Sequence, residues 1–173
     1  MVVVLTAAGL LLVRHFHIKD FCIIEPDVLY TSDQPRGMDY TRLLYNYHIA
    51  TIVNVRPAPE HMEENWRSEE VVWARSNAVR YIEMPIEKDG YFPNEQTQVQ
   101  FLAIMADKNN LPVLLHGSGD DKRVAMLVAV WLRQSQGYSA QETAGAVRKI
   151  IDDRELTDKE LRFISDPVDQ NPR

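Results

Sequence analysis

Cysteine is nearly missing from this chain: Cys22 is the only one in 173 residues. A single thiol excludes an internal disulfide and a multi-cysteine zinc site, and it confines cysteine chemistry to one position. Basic residues are in the minority, 19 Lys and Arg against 25 Asp and Glu, for a net charge of −6. That balance argues against a generally basic, nucleic-acid-coating surface, while a local anion site stays open. Glycine and proline are sparse at 7 and 9 residues, and hydrophobic residues make up 45%. Collagen-like, low-complexity and disordered classes are thereby excluded, and one globular domain is the default at this length.

A long apolar run is also lacking. The uncharged stretch from Val2 to Val13 reaches about 18 Å as a helix, against a hydrocarbon core of roughly 30 Å. No basic region precedes it and no small-residue cleavage site closes it, which argues against a cleaved signal peptide. Arg14, His15, His17 and Lys19 form the kind of basic flank that stays on the cytoplasmic side of a spanning helix. Three readings stay open: a membrane anchor continuing upstream of Met1, a packed or interfacial helix, and a strand. The organisation expected is an apolar segment over residues 1–20, a domain over 21–165 and a tail over 166–173. Membrane association through residues 2–13, with the domain on the cytoplasmic side, is one expectation, and a cytoplasmic protein is the other.

Beyond residue 20 the chain alternates strand and helix patterns. Short strands are expected at 21–24 and 28–30, around the Glu25-Pro26-Asp27 turn. The β-branched run 49–55, the segment 79–84 and Pro112 to His116 read as further strands. Between them lie a helix over 39–47 and one over 60–77, with Trp66, Val72 and Trp73 inward and Glu63, Glu64, Glu69 and Glu70 in water. Asn94 caps a third, in which Val99, Leu102 and Met105 share a face. The run from Val124 to Leu132 is apolar on every side, the mark of a central buried helix. Ser139 with Glu142, and Thr157 with Glu160, are capping boxes for the last two helices. The pattern predicts a single α/β domain with a central, mostly parallel sheet flanked by helices, preceded by the N-terminal apolar segment.

Chemistry concentrates between the last strand and the buried helix, at His116-Gly117-Ser118-Gly119-Asp120-Asp121-Lys122-Arg123. A glycine-containing strand-to-helix loop points amides into one concavity at the positive end of a helix dipole, a geometry suited to an oxyanion. Arg123 can grip two oxygens of one anion with its planar fork. The competing reading is a plain Gly-Ser-Gly turn with solvated charges.

The same residues resemble the signature loop of the cysteine-dependent tyrosine and dual-specificity phosphatase superfamily, His-Cys-x5-Arg. His116 stands at the histidine, Gly117 at the cysteine and Arg123 at the arginine. Val28 to Pro35, Ile49 to Arg56 and Met84-Pro85 resemble, in order, further segments of the small dual-specificity members. The resemblance spans roughly 21–165 and implies a phosphatase-like fold. It also implies a phosphate-binding loop formed by Gly117, Ser118, Gly119, Asp120, Asp121, Lys122 and Arg123, with His116 supporting that loop through a hydrogen bond.

For activity the resemblance points the other way. Gly117 offers no side chain where the family's thiolate attacks phosphorus. Ser118 is one residue out of frame, and no general base is evident beside it. Cys22 lies on an early strand, far from the loop. Asp120 stands where the family has glycine, and Val124 where it has a hydroxyl residue. A general acid is sought in 85–93, where Asp89 is the first candidate and Glu87 the second, against the reading of both as solvated loop charges. His116 with Asp120 and Asp121 is too closely spaced for a good metal site, so neither a metal nor a cofactor is expected. The leading expectation is a pseudophosphatase that holds a phosphorylated ligand or a protein partner without turnover. The alternative is a phosphoric monoester hydrolase using Ser118, Asp120 or a loop-bound water. Gly117→Cys is the direct test of whether the rest of the site is assembled.

Overall fold

The structure, a computed structural model, describes residues 17–62, 65–119 and 121–166. The apolar stretch 2–13, Glu63, Glu64, Asp120 and the tail from residue 167 lie outside the described residues. The fold opens with β1 (Cys22–Glu25) and β2 (Leu29–Ser32), which pair antiparallel. Asp27 makes the turn between them at φ 60°, its N–H donating to the Tyr30 hydroxyl at 2.8 Å. Next come α1 (Met38–Tyr45), β3 (Thr51–Asn54), a 3₁₀ turn (Ala58–Met62) and α2 (Trp66–Ser76). They are followed by β4 (Arg80–Glu83), α3 (Glu95–Ala106) and a second 3₁₀ turn (Lys108–Asn110). Then β5 (Val113–His116), α4 (Lys122–Gln134), α5 (Ala140–Ile150) and α6 (Asp158–Ser165) complete the order. The five strands form one sheet in the order β1-β2-β5-β3-β4, parallel except for β1. The expected α/β architecture is the one observed.

Side-chain alternation along each strand divides the core. Tyr30, Ile52 and Leu114 point to the face covered by α1 and α2, where Tyr40, Leu43 and Ala74 meet them. Leu29, Val53, Val113 and Leu115 point to the other face, against Phe101 of α3 and Val124, Leu127, Val128 and Trp131 of α4. The opposite side of α4, through Met126, Ala129 and Val130, packs on Val147, Phe163 and Ile164 of α5 and α6. The helix thus lies between the sheet and an outer helical layer, which is why its sequence is apolar all round. Both capping boxes form, Ser139 with Glu142 and Thr157 with Glu160.

Three local expectations are corrected. The stretch 60–77 is not one helix: a 3₁₀ turn (Ala58–Met62) comes first, and the α-helix begins only at Trp66. In α2 the inward stripe is Trp66, Glu70 and Ala74, so Val72 is 64% exposed and Glu70 is wholly buried. In α3 Gln98, Phe101 and Met105 face inward and Val99 faces water. Gln98 is tolerated inside because its amide nitrogen donates to the Pro93 carbonyl at 3.0 Å, while its amide oxygen accepts from Gln134 at 3.4 Å.

Leu127, with no exposed surface, sits where α4 meets the sheet. We expect Leu127→Ala to lower stability by about 3 kcal/mol, with urea unfolding as the measurement. A loss under about 1 kcal/mol would mean that α4 is not the centre of the core.

Candidate functional site

Parallel pairing brings the carboxyl ends of three strands level. Ser32 of β2 and Asn54 of β3 both stand opposite His116 of β5. The segments leaving those ends, with Asp33, with Arg56 and Glu60, and with Gly117 to Arg123, therefore converge at one edge, where ligands of open α/β sheets are bound.

The loop after β5 forms a bowl, and a side chain of the same loop fills it. Asp121 is the N-cap of α4, accepting from the Arg123 N–H at 2.9 Å through Oδ1. Its Oδ2 accepts from the Ser118 N–H at 2.8 Å. Arg123 lays its fork along the same carboxylate, with Nε 2.8 Å from Oδ1 and Nη2 2.7 Å from Oδ2. The remaining guanidinium protons go to Glu60 Oε1 at 2.8 Å, the Ile86 carbonyl at 3.3 Å and Ser118 Oγ at 3.1 Å. No N–H of the fork is left without an acceptor. The Gly119 N–H donates to Asp33 Oδ1 at 2.6 Å, and Asp33 is in turn held by Lys19 at 2.5 Å. The loop amides thus hold oxyanions, and the oxyanions are the chain's own carboxylates.

Gly117 makes this arrangement sterically possible. A Cβ at that position would fall 1.7 Å from Asp121 Oδ2 and 2.4 Å from its Cγ. The backbone of Gly117 does not lie in the left-handed region, so glycine is required for room and not for conformation. A side chain at 117 and the Asp121 carboxylate in its present place exclude one another. Gly117→Cys alone is therefore not the clean test that the sequence suggests, because Asp121 must leave first.

A chain of buried polar groups runs behind the bowl. Glu60, 6% exposed, accepts from Arg123 and through Oε2 from Arg56 Nε at 2.8 Å. Arg56 stacks 4.0 Å over the Trp66 ring and donates to Gln34 Oε1 at 3.3 Å. Gln34 donates to Glu70 Oε1 at 3.2 Å, and that oxygen is 3.2 Å from His116 Nε2. His116 adjoins Gly117, so the chain of contacts closes on the loop where it began. The distance from His116 to Glu70 is that of a contact, but the ring makes no well-directed hydrogen bond, and its Nδ1 has none either. The His116 side chain faces Glu70 beneath the sheet edge and donates nothing to the loop. Burial alone would raise the Glu60 pKa, but the hydrogen bonds and charges of Arg123 and Arg56 outweigh it and hold the carboxyl below the usual range.

In front of the bowl lies an open cleft of about 380 Å³, lined by Lys88, Asp89, Tyr91, Ser118, Gly119, Asp121, Lys122 and Arg123. Asp89 is thus brought to the loop and is exposed, whereas Glu87, also exposed, lies outside the cleft lining. Lys122 lies 5.0 Å over the Tyr91 ring. Cys22 is half-buried on the outermost strand, two strands from β5, and burial pushes its thiol pKa up. Among the described residues no three metal-ligating side chains converge. Nor is any described helix long and apolar enough to cross a membrane.

A profile described as "Swiss Army Knife protein, DSP-PTPase phosphatase domain" matches residues 19–164. The chain belongs to this DSP-PTPase phosphatase family. The tyrosine-protein phosphatase-like protein OCA2 of Saccharomyces cerevisiae is 25% identical over 124 residues, 71% of this chain. The chain spans 59% of that relative's length. Among solved structures, the core catalytic domain of the S. cerevisiae PP-IP phosphatase SIW14 superposes with a TM-score of 0.70 at 18% identity, covering 88% of each chain. PTPMT1, solved in complex with PI(5)P, gives 0.66 at 17% identity, covering 84% of this chain and 92% of its own. At these identities the likenesses show a shared fold.

Asp33, Arg56, Glu60 and Glu70 are participants that motif spacing alone does not single out. The available signal was positional, since Asp33 and Arg56 follow closely on the ends of parallel strands.

Removing the charge of Glu60 takes away the carboxylate that two buried guanidinium groups share. We expect Glu60→Gln to cost roughly 3 kcal/mol at pH 7, read by urea unfolding. Because the folded pKa of Glu60 is depressed, its contribution is complete above the ordinary glutamate range and is lost as pH falls below it. The penalty should therefore shrink in acid, and one that grew in acid would contradict the assignment.

Proposed function

We propose that this domain is a pseudophosphatase: a phosphatase-fold module that engages a phosphorylated ligand or a protein partner without cysteine-dependent hydrolysis. The observation that carries the reading is the Asp121 carboxylate in the bowl, in the room left by a residue without a side chain at 117. Gly117 corresponds to the cysteine of the family's signature loop, so the group that would attack phosphorus is replaced by a fixed negative charge. Such a charge opposes the approach of an anionic substrate.

The substitutes for a thiolate are poorly served. Ser118 Oγ accepts from Arg123 Nη2 at 3.1 Å, an interaction that stabilises its lone pairs and gives it no base. The nearest carboxylate, Asp121, is occupied by Arg123 and two backbone amides. Asp89 lines the cleft as the family's general acid would, but it has no nucleophile to serve. The yeast relative carries the qualified name phosphatase-like, which accords with this reading.

Purified protein given para-nitrophenyl phosphate should release nitrophenol at the rate of the buffer blank, and Ser118→Ala should change nothing. Release well above the blank that disappears in Ser118→Ala would establish the hydrolase instead.

A further inference from the structure

We propose that Asp121 is a resident pseudo-ligand: a carboxylate, admitted by the absent side chain of Gly117, that keeps the bowl closed to phosphate until it is displaced. The inference deepens the reading of the domain as catalytically silent and rests on its view of the loop as an oxyanion holder.

The donors decide the matter. An anion in the bowl would draw on the Ser118 and Arg123 amides and on Nε and Nη2 of Arg123, and these are the groups that Asp121 takes. Arg123 is 2% exposed and Asp121 8%, so the pair is dry and its donors cannot serve two anions at once. An occupant attached to the loop acts at the high effective concentration of an intramolecular group, which a free anion must overcome. The second loop carboxylate contact, Asp33 on the Gly119 N–H, removes another amide. Displacing Asp121 also takes away the N-cap of α4, so opening the bowl costs helix stability as well as an ion pair. A phosphate monoester, with more charge and more acceptor oxygens than a carboxylate, is the ligand class able to compete for these donors. Lys88 and Lys122 on the cleft wall add favourable charge for it, against the opposing carboxylate of Asp89.

Two variants empty the bowl by independent routes. Asp121→Ser withdraws the carboxylate but keeps a good N-cap. Gly117→Ala leaves Asp121 in the sequence and puts a methyl group where its Oδ2 lies. The probe is inorganic phosphate, titrated by calorimetry, with the Arg123 Nε–H resonance reporting where it binds. The wild-type chain should show no binding in the low millimolar range. Both variants should bind at least about tenfold more tightly than wild type, with the Arg123 signal moving on addition of phosphate. Gly117→Ala should also destabilise the wild-type background while being close to neutral beside Asp121→Ser, a coupling that unfolding curves measure.

Wild-type protein that bound phosphate as tightly as Asp121→Ser would overturn the proposal and leave the silent reading standing. Folded variants with no affinity for phosphate would also overturn it. Turnover by the wild type sinks the silent reading instead, and the aryl phosphate assay detects that separately. Should Gly117→Ala fail to fold, Asp121→Ser still decides the binding question.

Discussion

A guanidinium sealed from water must find its counter-charge inside the protein, and the way Arg123 does so organises this domain. Desolvation of an unpaired charge is among the largest penalties a fold can carry. A site that expects a phosphate can leave part of that requirement to the ligand. Here it is met from within the chain, by Asp121 along one side of the fork and by Glu60 at its tip. The lack of a side chain at Gly117, the start of α4 and the clasp of Gly119 on Asp33 all accommodate that arrangement.

The supporting chain explains why so many polar groups tolerate burial. Charges alternate along Asp121, Arg123, Glu60 and Arg56, so each ion faces one of opposite sign. Beyond Arg56 the path continues through the uncharged Gln34 to Glu70 and His116. Networks of this kind are costly when half satisfied and specifying when complete. Most members of this one are satisfied, and its weak point is the Glu70–His116 end, where one carboxylate oxygen and both ring nitrogens lack well-directed partners.

The fold was largely legible in the sequence because its determinants are local. The β-branched run 49–55 marked β3, the short apolar run ending at His116 marked β5, the capping boxes marked α5 and α6, and a helix apolar on all sides could only lie between two layers. The site was legible in part. The loop from His116 to Arg123 stood out through its glycines and spacing. That Asp120 or Asp121 could turn into the anion's place was open in the sequence, but nothing local chose that over a solvated charge that repels the ligand, nor Asp121 over Asp120. Glu70 shows the limit more sharply. On a helix with Glu69 beside it, a carboxylate looks destined for water, and only partners from β5 and from the loop after β2 make its burial feasible. Information of that kind is distributed over residues 34, 70 and 116 and has no local signature. The offset in α3 has the same origin, because Gln98 is accepted into the core by Pro93 and by Gln134 on another helix.

The position of α4 has a bearing on timing. Wedged between the sheet and the outer helices, the helix holds the backbone of its N-cap, Asp121, at the mouth of the loop. An exchange of occupants in the bowl is then governed by rotation about two bonds of one aspartate. Because that rotation also breaks a buried ion pair and a helix cap, it is slower than the rotamer hopping of an exposed side chain.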